Sequence, residues 1–581
     1  MRKEVGGNVQ GSKGEQRGGM KDFNYRKYRN DLAREVKQEQ DRGRRREILE
    51  AARETPEYQR AAILHRADAA RQQEKLRAAG FFEEAEAFRK VAEFAKAVES
   101  AGGRALLVGG CVRDELMGIP PKDYDIEVYR IPPEKLKQLA SAFGEVSEVG
   151  MAFGILKLHI GDIEIDVSLP RRESKTGRGH KDFSIGADPH MRVEEAARRR
   201  DFTINALAQD ILTGEIYDYF GGVRDIAQRT LRAVDEERFR DDPLRVLRGV
   251  QFVGRFGLRV EDRTAAMMRE MRGELRHLSK ERMREEWIKL FTKSRKPSLG
   301  LQAAMEWGIF HEMHPEVRNL PQTLQDPRWH PEGDAWVHTL MVVDAMARIV
   351  EQEHIQGKEA LILMLAAFCH DFGKPATTKE EGGRIRSLGH EQAGVAPAAK
   401  FLSEIGIESS LIDPITKLVA EHLKPSVFYV QEVQRGSRVT DGAIKRLAAR
   451  ISPATLRQLA YVAKADHMGR GPFVDPDNPE KSLIPDEYPA GDWLLERAAK
   501  LGIQEEKPKP VLFGRDLIAL GFPPGKMFGK ILRVAEDLHV QGLSREEILN
   551  VLAAHRGHSL EELAMILEGK REHEGPGNDF A

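Results

Sequence analysis

The chain has 581 residues, 41% of them apolar and 31% charged, with a formal net charge of −1. At about 150 residues per domain, this length implies three or four domains with sizeable cores. The near-zero charge excludes a global basic field, so any nucleic-acid surface must be local. Only two cysteines occur, Cys111 and Cys369, which argues against a disulfide framework or a cysteine zinc site. No apolar run approaches the roughly 20 residues of a membrane span, and no signal-peptide core opens the chain; a reducing cytoplasm is expected.

Residues 1 to about 22 are Gly-, Lys- and Gln-rich without periodicity, a disordered composition, and Met20 is a second candidate start. From Tyr25 to about Ala101 the residues favour helix, and Arg42-Gly-Arg-Arg-Arg46 reads as a solvated face, with phosphate contact as the alternative. From Ala105 to about Ala233 strands and helices alternate. The apolar run 105–108 enters Gly109-Gly110, whose backbone can approach a phosphate while Arg113 supplies charge. A strand over 123–128 would put Asp123 and Asp125 on one face. A two-metal phosphoryl-transfer site needs that arrangement, with ions roughly 3.5–4 Å apart.

Residues 155–160 and 163–168 read as a hairpin turning at Gly161-Asp162. Asp166 on its second strand offers a third carboxylate, as metal ligand or general base. Glu164 shares that face by alternation, so the pattern leaves both open. From Glu236 the chain reads as helical almost to its end, with Leu244, Leu247, Val250 and Val253 at helical spacing. Asp242 and Arg245, three apart, would be neighbours on a helix. Such a pair can read a base edge, the carboxylate accepting from an exocyclic amine and the guanidinium donating to a ring nitrogen; a surface ion pair is the plainer alternative. Gly471-Pro472 opens a stretch with prolines to Pro485 and Pro489, which marks a loop and domain margin. The tail after Lys570 reads as frayed.

Six ordered motifs carry a family resemblance: Leu107-Val-Gly-Gly-Cys-Val-Arg-Asp114, Asp123-Tyr-Asp125, Asp166-Val-Ser-Leu-Pro-Arg-Arg-Glu173, Arg199-Arg-Asp-Phe-Thr-Ile-Asn-Ala206, Phe220-Gly-Gly-Val-Arg-Asp225 and Asp241-Asp-Pro-Leu-Arg245. The set resembles the class II tRNA nucleotidyltransferases, relatives of the bacterial poly(A) polymerases, from about Ala105 to about Leu290. Lys280-Glu-Arg-Met-Arg-Glu-Glu286 is similar to the last neck motif of that family. The resemblance implies that Asp123 and Asp125 hold Mg²⁺ and that Asp166 completes the catalytic set. It assigns Gly109, Gly110 and Arg113 to the phosphate turn, and Arg200, Asp201 and Asn205 to ribose and triphosphate. Asp242 and Arg245 become the protein template for CTP or ATP, with Arg248 grouped among the nucleotide-binding residues. Asp241 stands where the family usually has Glu.

A basic, Gly-rich segment over 171–189, with Lys175, Arg178, His180 and Lys181, matches the loop that switches the family from CTP to ATP. Its full length argues against an enzyme that adds only two cytidines. The basic motif distinguishing poly(A) polymerases is not evident over 154–166.

His338, His370-Asp371 and Asp466 follow in that order on helical segments, and imidazole with carboxylate suits several divalent ions. The pattern resembles the HD phosphohydrolase domain. His390 and His422 fall where two-metal members of that domain have further ligands; His330 is a weaker candidate, and Lys374 could assist with phosphate charge. The ion is undetermined among Mg²⁺, Mn²⁺, Ni²⁺ and Fe²⁺. Similar proteins carrying this domain have phosphatase and 2′,3′-cyclic phosphodiesterase activity. Residues 511–525 resemble the C-terminal helical module that contacts the tRNA elbow, with Arg515 and Lys526 as phosphate contacts or, as the equal alternative, structural residues.

The expected fold is an α+β nucleotidyltransferase head, a mixed sheet with helices, followed by all-α neck, HD and tail domains. The expected boundaries are 1–100 extension, 101–235 head, 236–300 neck, 301–490 HD domain and 491–581 tail. The implied activity is addition of CMP, CMP and AMP to tRNA from CTP and ATP, with tRNA as partner and no membrane. An A-adding enzyme or poly(A) polymerase is the alternative, and an HD phosphohydrolase with an RNA-binding head is the rival of another class.

Overall fold

A computed structural model describes residues 82–119, 123–148, 155–160, 163–175, 183–471, 474–475, 478–482, 487–505, 511–522, 524–525, 528–540 and 543–554. The readings of residues 1–81, Gly161-Asp162, Arg178, His180, Lys181, Lys526 and the tail after Lys570 lie outside the described residues, as does the side chain of Lys175. Contacts divide the chain into two compact units. One runs to Arg245 and includes Arg259–Met267; the other comprises Val246–Leu258 and the chain from Met268 onward.

Among the described residues the first unit has eleven strands: β1 (Arg104–Val108), β2 (Tyr124–Tyr129), β3 (Glu145–Glu148), β4 (Ile155–Ile160), β5 (Ile163–Ser168), β6 (Arg171–Lys175), β7 (Phe183–Ala187), β8 (Ala208–Asp210), β9 (Ile216–Tyr217), and the parallel pair β10 (Thr230–Leu231) and β11 (Arg259–Val260). Seven form one sheet in the order β3-β4-β5-β2-β1-β8-β9, and β6 pairs with β7 separately. The sheet is mixed, since β2 runs parallel to β5 while the other neighbours are antiparallel.

Side-chain alternation gives the sheet two different faces. Tyr124, Ile126 and Val128 point into a core with Phe88, Val91, Phe94, Ala95 and Val98 of the helix Phe82–Ser100. The i, i+3, i+4 spacing of those helix residues explains both the helix and its docking. Each fully buried side chain of this kind contributes roughly 1.5–3 kcal/mol. Tyr129 joins Leu106, Val108 and Met191 in a smaller cluster on the opposite face. Asp125 and Glu127 share that opposite face by alternation. The strand starts one residue later than the sequence suggests, leaving Asp123 exposed in the bend before it.

In the second unit helices dominate. Trp287, Phe291, Phe310, Phe368 and Phe401 interlock at centroid distances of 5.4–6.5 Å, forming an aromatic core beneath the second site. The helical reading after Glu236 misses two hairpins. Lys379–Glu381 pairs with Arg384–Arg386 across Gly382 and Gly383, whose φ values of 59° and 70° are those of a type I′ turn. Val474–Asp475 pairs with Asn478–Ser482 inside the stretch read as a loop.

Candidate functional site

The head site is set by strand register. Asp125 on β2 is the Cα partner of Asp166 on β5, so the two carboxylates leave the sheet side by side. Lys157 on β4 is the Cα partner of Asp166 on the other flank. It pairs with Glu164, and its Nζ lies 3.7 Å from Asp166 Oδ1. That oxygen is buried and makes no hydrogen bond. Of the two acids that alternation leaves open, Asp166 is the one beside Asp125, while Lys157 pairs with Glu164 and lies within ion-pair range of both. The Asp125 carboxyl is held above its ordinary range, first by desolvation, with the Asp166 and Asp123 charges adding and Arg200 and Arg113 opposing. Oxygen-only donors with an orphaned buried atom and crowded charge fit a hard divalent cation such as Mg²⁺.

Behind the acids the glycine turn holds the cations in place. Gly109 has φ 72°, and a β-carbon there would lie 2.5 Å from Arg200 Nη1, so glycine lets that guanidinium lie against the backbone. Arg113 Nη1 donates to Asn205 Oδ1 at 2.6 Å and its Nε to Asp114 at 2.8 Å, while Asn205 Nδ2 donates to Asp201 at 2.9 Å. Four motif residues far apart in sequence thus form one hydrogen-bonded chain. Glu127, buried two residues beyond Asp125, accepts from Arg199 Nη2 at 3.1 Å. The Arg199 carbonyl in turn accepts from Arg245 Nη2 at 2.7 Å, and the Arg238 carbonyl accepts from Arg245 Nη1 at 2.9 Å. Asp242 is not on a helical face with Arg245. It precedes the helix Leu244–Phe256, and its Oδ1 accepts from Leu244 N at 3.1 Å, as a helix cap does. Arg248 lies one turn on, 3.9 Å from Glu286.

The second site is buried. His338 comes from the helix Ala335–Gln352, and His370-Asp371 follows Gly357–Cys369. His390 opens His390–Ala393, His422 follows Ser409–Glu421, and Asp466 lies on Leu456–Met468. Three of the four imidazoles bind the backbone carbonyl three residues before them through Nδ1: His370 to Ala367, His390 to Ser387 and His422 to Val419, at 2.7–2.8 Å. His338 Nδ1 meets Glu332 at 2.8 Å. Every Nε2 is thereby turned inward, the outer-sphere arrangement that metal-ligating histidines use.

Asp371 sits between two groups of possible ligands, His338 with His370 and His390 with His422. Its Oδ2 lies 3.2 Å from His370 Nε2, and its Oδ1 lies 3.3 Å from His390 Nε2. His370 Nε2 and both Asp371 oxygens are buried without a hydrogen bond of good geometry, although Lys374 Nζ lies 2.6 Å from Asp371 Oδ2. Unsatisfied groups of this kind at one point fit two divalent ions sharing a carboxylate. Asp466 reaches the cluster through His338 Nε2, at 3.0 Å. Although burial opposes it, the His370 and Lys374 charges hold the Asp371 carboxyl far below its usual range. Burial, with the His370 and His390 charges adding, holds His422 down to about 3. A β-carbon on Gly373 would lie 2.0 Å from the His390 carbonyl oxygen, so the glycine after His370-Asp371-Phe372 is what lets His390 come this close.

Three family descriptions match the chain: the Poly A polymerase head domain over 105–232, the probable RNA and SrmB-binding site of polymerase A over 257–320, and the HD domain over 336–462. A "Multifunctional CCA protein" of Xanthomonas campestris pv. campestris (strain B100) is 36% identical over 373 residues, covering 63% of this chain and 85% of that protein. The chain belongs to the multifunctional CCA protein family. The fold agrees with it. The Bacillus stearothermophilus CCA-adding enzyme, solved in complex with CTP, superposes with a TM-score of 0.53 at 22% identity, over 84% of this chain and 98% of that one. A second CCA-adding enzyme structure with CTP gives 0.50 at 19% identity, over 82% and 96%.

At both sites the sequence pattern points to the ligand-type residues and not to the residues that support them. Glu127 completes an every-second-residue run of acids, Asp123, Asp125 and Glu127, and that spacing was its signal. Glu332 binds both His330 and His338 and accepts from Gly471 N at 3.0 Å; only its place beside His330 pointed to it. Gln325, which accepts from Lys374 Nζ at 2.6 Å, carries no signal in sequence. In the C-terminal module, Arg515 lies 4.7 Å over the Phe513 ring, and Val511, Leu512, Leu517 and Phe522 join a local core. No helix of the described residues is long and apolar enough to cross a membrane.

Proposed function

We propose that the chain adds CMP, CMP and then AMP to the 3′ end of tRNA, consuming CTP and ATP and releasing pyrophosphate at each step. The observation that carries this reading is the lateral pairing of Asp125 with Asp166, whose buried Oδ1 makes no hydrogen bond. Asp123 and Asp125 would hold Mg²⁺ and Asp166 would complete the set; bound there, the ions stabilise charge on the attacking and leaving oxygens. Gly109 and Gly110 admit the triphosphate to the turn, Arg113 and Arg200 neutralise it, and Asp201 with Asn205 keeps Arg113 aimed. Asp242 and Arg245 read the incoming base, and the two carbonyls on Arg245 fix the plane of its guanidinium. Arg248 is assigned to nucleotide binding.

At the second centre His338, His370, Asp371 and Asp466, with His390 and His422, would hold divalent metal for hydrolysis of phosphomonoesters and 2′,3′-cyclic phosphates, Lys374 supplying charge to the phosphate. We assign 101–235 to the head, 236–300 to the neck, 301–490 to the HD domain and 491–581 to a tRNA-contacting tail, and we place the protein in the cytoplasm, where its substrates are.

The test is incorporation on three tRNA transcripts, ending before CCA, after C and after CC, each with CTP, ATP or both, with Asp123→Ala as control. Completion of CCA on all three, abolished in the control, is expected. AMP addition only to the transcript ending in CC, or unlimited ATP addition, would overturn the reading.

A further inference from the structure

A third cluster of ligand-type atoms lies in the second unit, among residues that neither activity uses. His314 follows the helix Ile309–Met313, Glu316 lies in the helix Pro315–Arg318, and Glu404 ends the helix Val395–Glu404. His314 is only 1% exposed, and its Nδ1 has no hydrogen-bond partner. It points between two carboxylate oxygens, Glu316 Oε1 at 3.4 Å and Glu404 Oε2 at 3.3 Å, both also buried and unpartnered. The three atoms lie within 4.8 Å of one another. The remaining oxygens are occupied: Lys400 Nζ is 3.3 Å from Glu316 Oε2 and 3.7 Å from Glu404 Oε1. One lysine thus orients both carboxylates, and the His314 ring is fixed edge-on to Phe401 at 4.9 Å.

Two occupants suit such a trio, a proton on His314 or a cation between the groups. A protonated imidazole draws a carboxylate to about 2.7–2.9 Å, and both distances here are well beyond that. Two ligands on a four-coordinate zinc, with bonds of about 2.0–2.1 Å, stand about 3.3–3.4 Å apart, the spacing seen here. We propose that His314 Nδ1, Glu316 Oε1 and Glu404 Oε2 form a separate structural site for a divalent ion of the zinc class. It would clamp the Pro315–Arg318 segment to the end of Val395–Glu404.

The experiment is metal analysis of the full chain, stripped with chelator, reloaded with Zn²⁺ and desalted, beside His314→Gln, Glu404→Gln and His370→Ala. His314→Gln and Glu404→Gln should each retain about one zinc fewer per chain, with affinity at the site weakened at least ~10-fold. Nucleotide incorporation and cyclic phosphate hydrolysis should stay at the wild-type level in both. Loaded with Co²⁺, His370→Ala should keep a four-coordinate ligand-field band that His314→Gln lacks. Full zinc in both variants, or no such band in His370→Ala, would overturn the proposal and leave His314 as a protonated bridge between the two glutamates. If His314→Gln fails to fold, unchanged zinc in Glu404→Gln overturns it alone.

Discussion

The two principal sites of this chain are held by opposite means. In the head, Asp123 is exposed before the strand, and backbone register positions Asp125: β2 beside β5 puts it next to Asp166. At the second centre the six proposed ligands are buried, and ring orientations come from hydrogen bonds to nearby backbone carbonyls and, for His338, to Glu332. The contrast fits the task proposed for each site. A head that must admit a tRNA end and two different nucleotides keeps its acids open and braces the cations around them. A hydrolytic centre gains from a fixed and desolvated metal cage. Damage should therefore act differently at each: through charge and nucleotide affinity at the head, through metal retention at the cage.

The comparison can be broken or sharpened by substitution. Asp166→Asn keeps the strand and removes one charge, so incorporation should fall more than ~100-fold while cyclic phosphate hydrolysis persists; a loss below tenfold would remove Asp166 from the catalytic set. Gly109→Ala combines a positive φ with a clash against Arg200, so KM for CTP and ATP should rise about tenfold or more, with a lower thermal midpoint. Glu127→Gln should release Arg199 and, through its carbonyl, Arg245. We expect a roughly tenfold loss of kcat/KM, with misincorporation of the wrong nucleotide as the sign that Arg245 has moved. If only stability changes, Glu127 is structural.

The smallest effect concerns pH. His422 is depressed to about 3 in the folded chain, whereas an unfolded histidine titrates near 6.5. Below about 6.5 the unfolded chain takes up a proton that the folded one refuses, so stability falls as pH drops. Between pH 7 and 5.5 this group should cost roughly 1 kcal/mol of unfolding free energy. Denaturant unfolding of metal-free wild type and His422→Gln at the two values should differ by that amount, and parallel losses would contradict it.

Much of this architecture was readable because spacing and chemistry coincided. The hairpin 155–160 and 163–168 matches β4 and β5, and its alternation exposed Asp166 as a candidate. Alternation alone could not separate Asp166 from Glu164, because that choice depends on β5 pairing with β2 from across the fold. Helical spacing misplaced Asp242, because Pro243 delays the helix and turns the carboxylate into its cap. The histidines of the second centre were visible as an ordered set, yet Glu332 and Gln325 were not, since residues that orient ligands need only reach them in space. His314, Glu316 and Glu404 gave no signal for the same reason: the helix that supplies Glu404 returns about ninety residues later.

The central claim is that one chain carries two separable centres. Wild type, Asp125→Ala and His370→Ala should each be assayed for CMP and AMP incorporation into tRNA and, in the same preparation, for hydrolysis of 2′,3′-cyclic AMP. The account predicts a crossed result, Asp125→Ala losing only incorporation and His370→Ala losing only hydrolysis. Loss of both activities in either folded variant, or incorporation that survives Asp125→Ala, would contradict it.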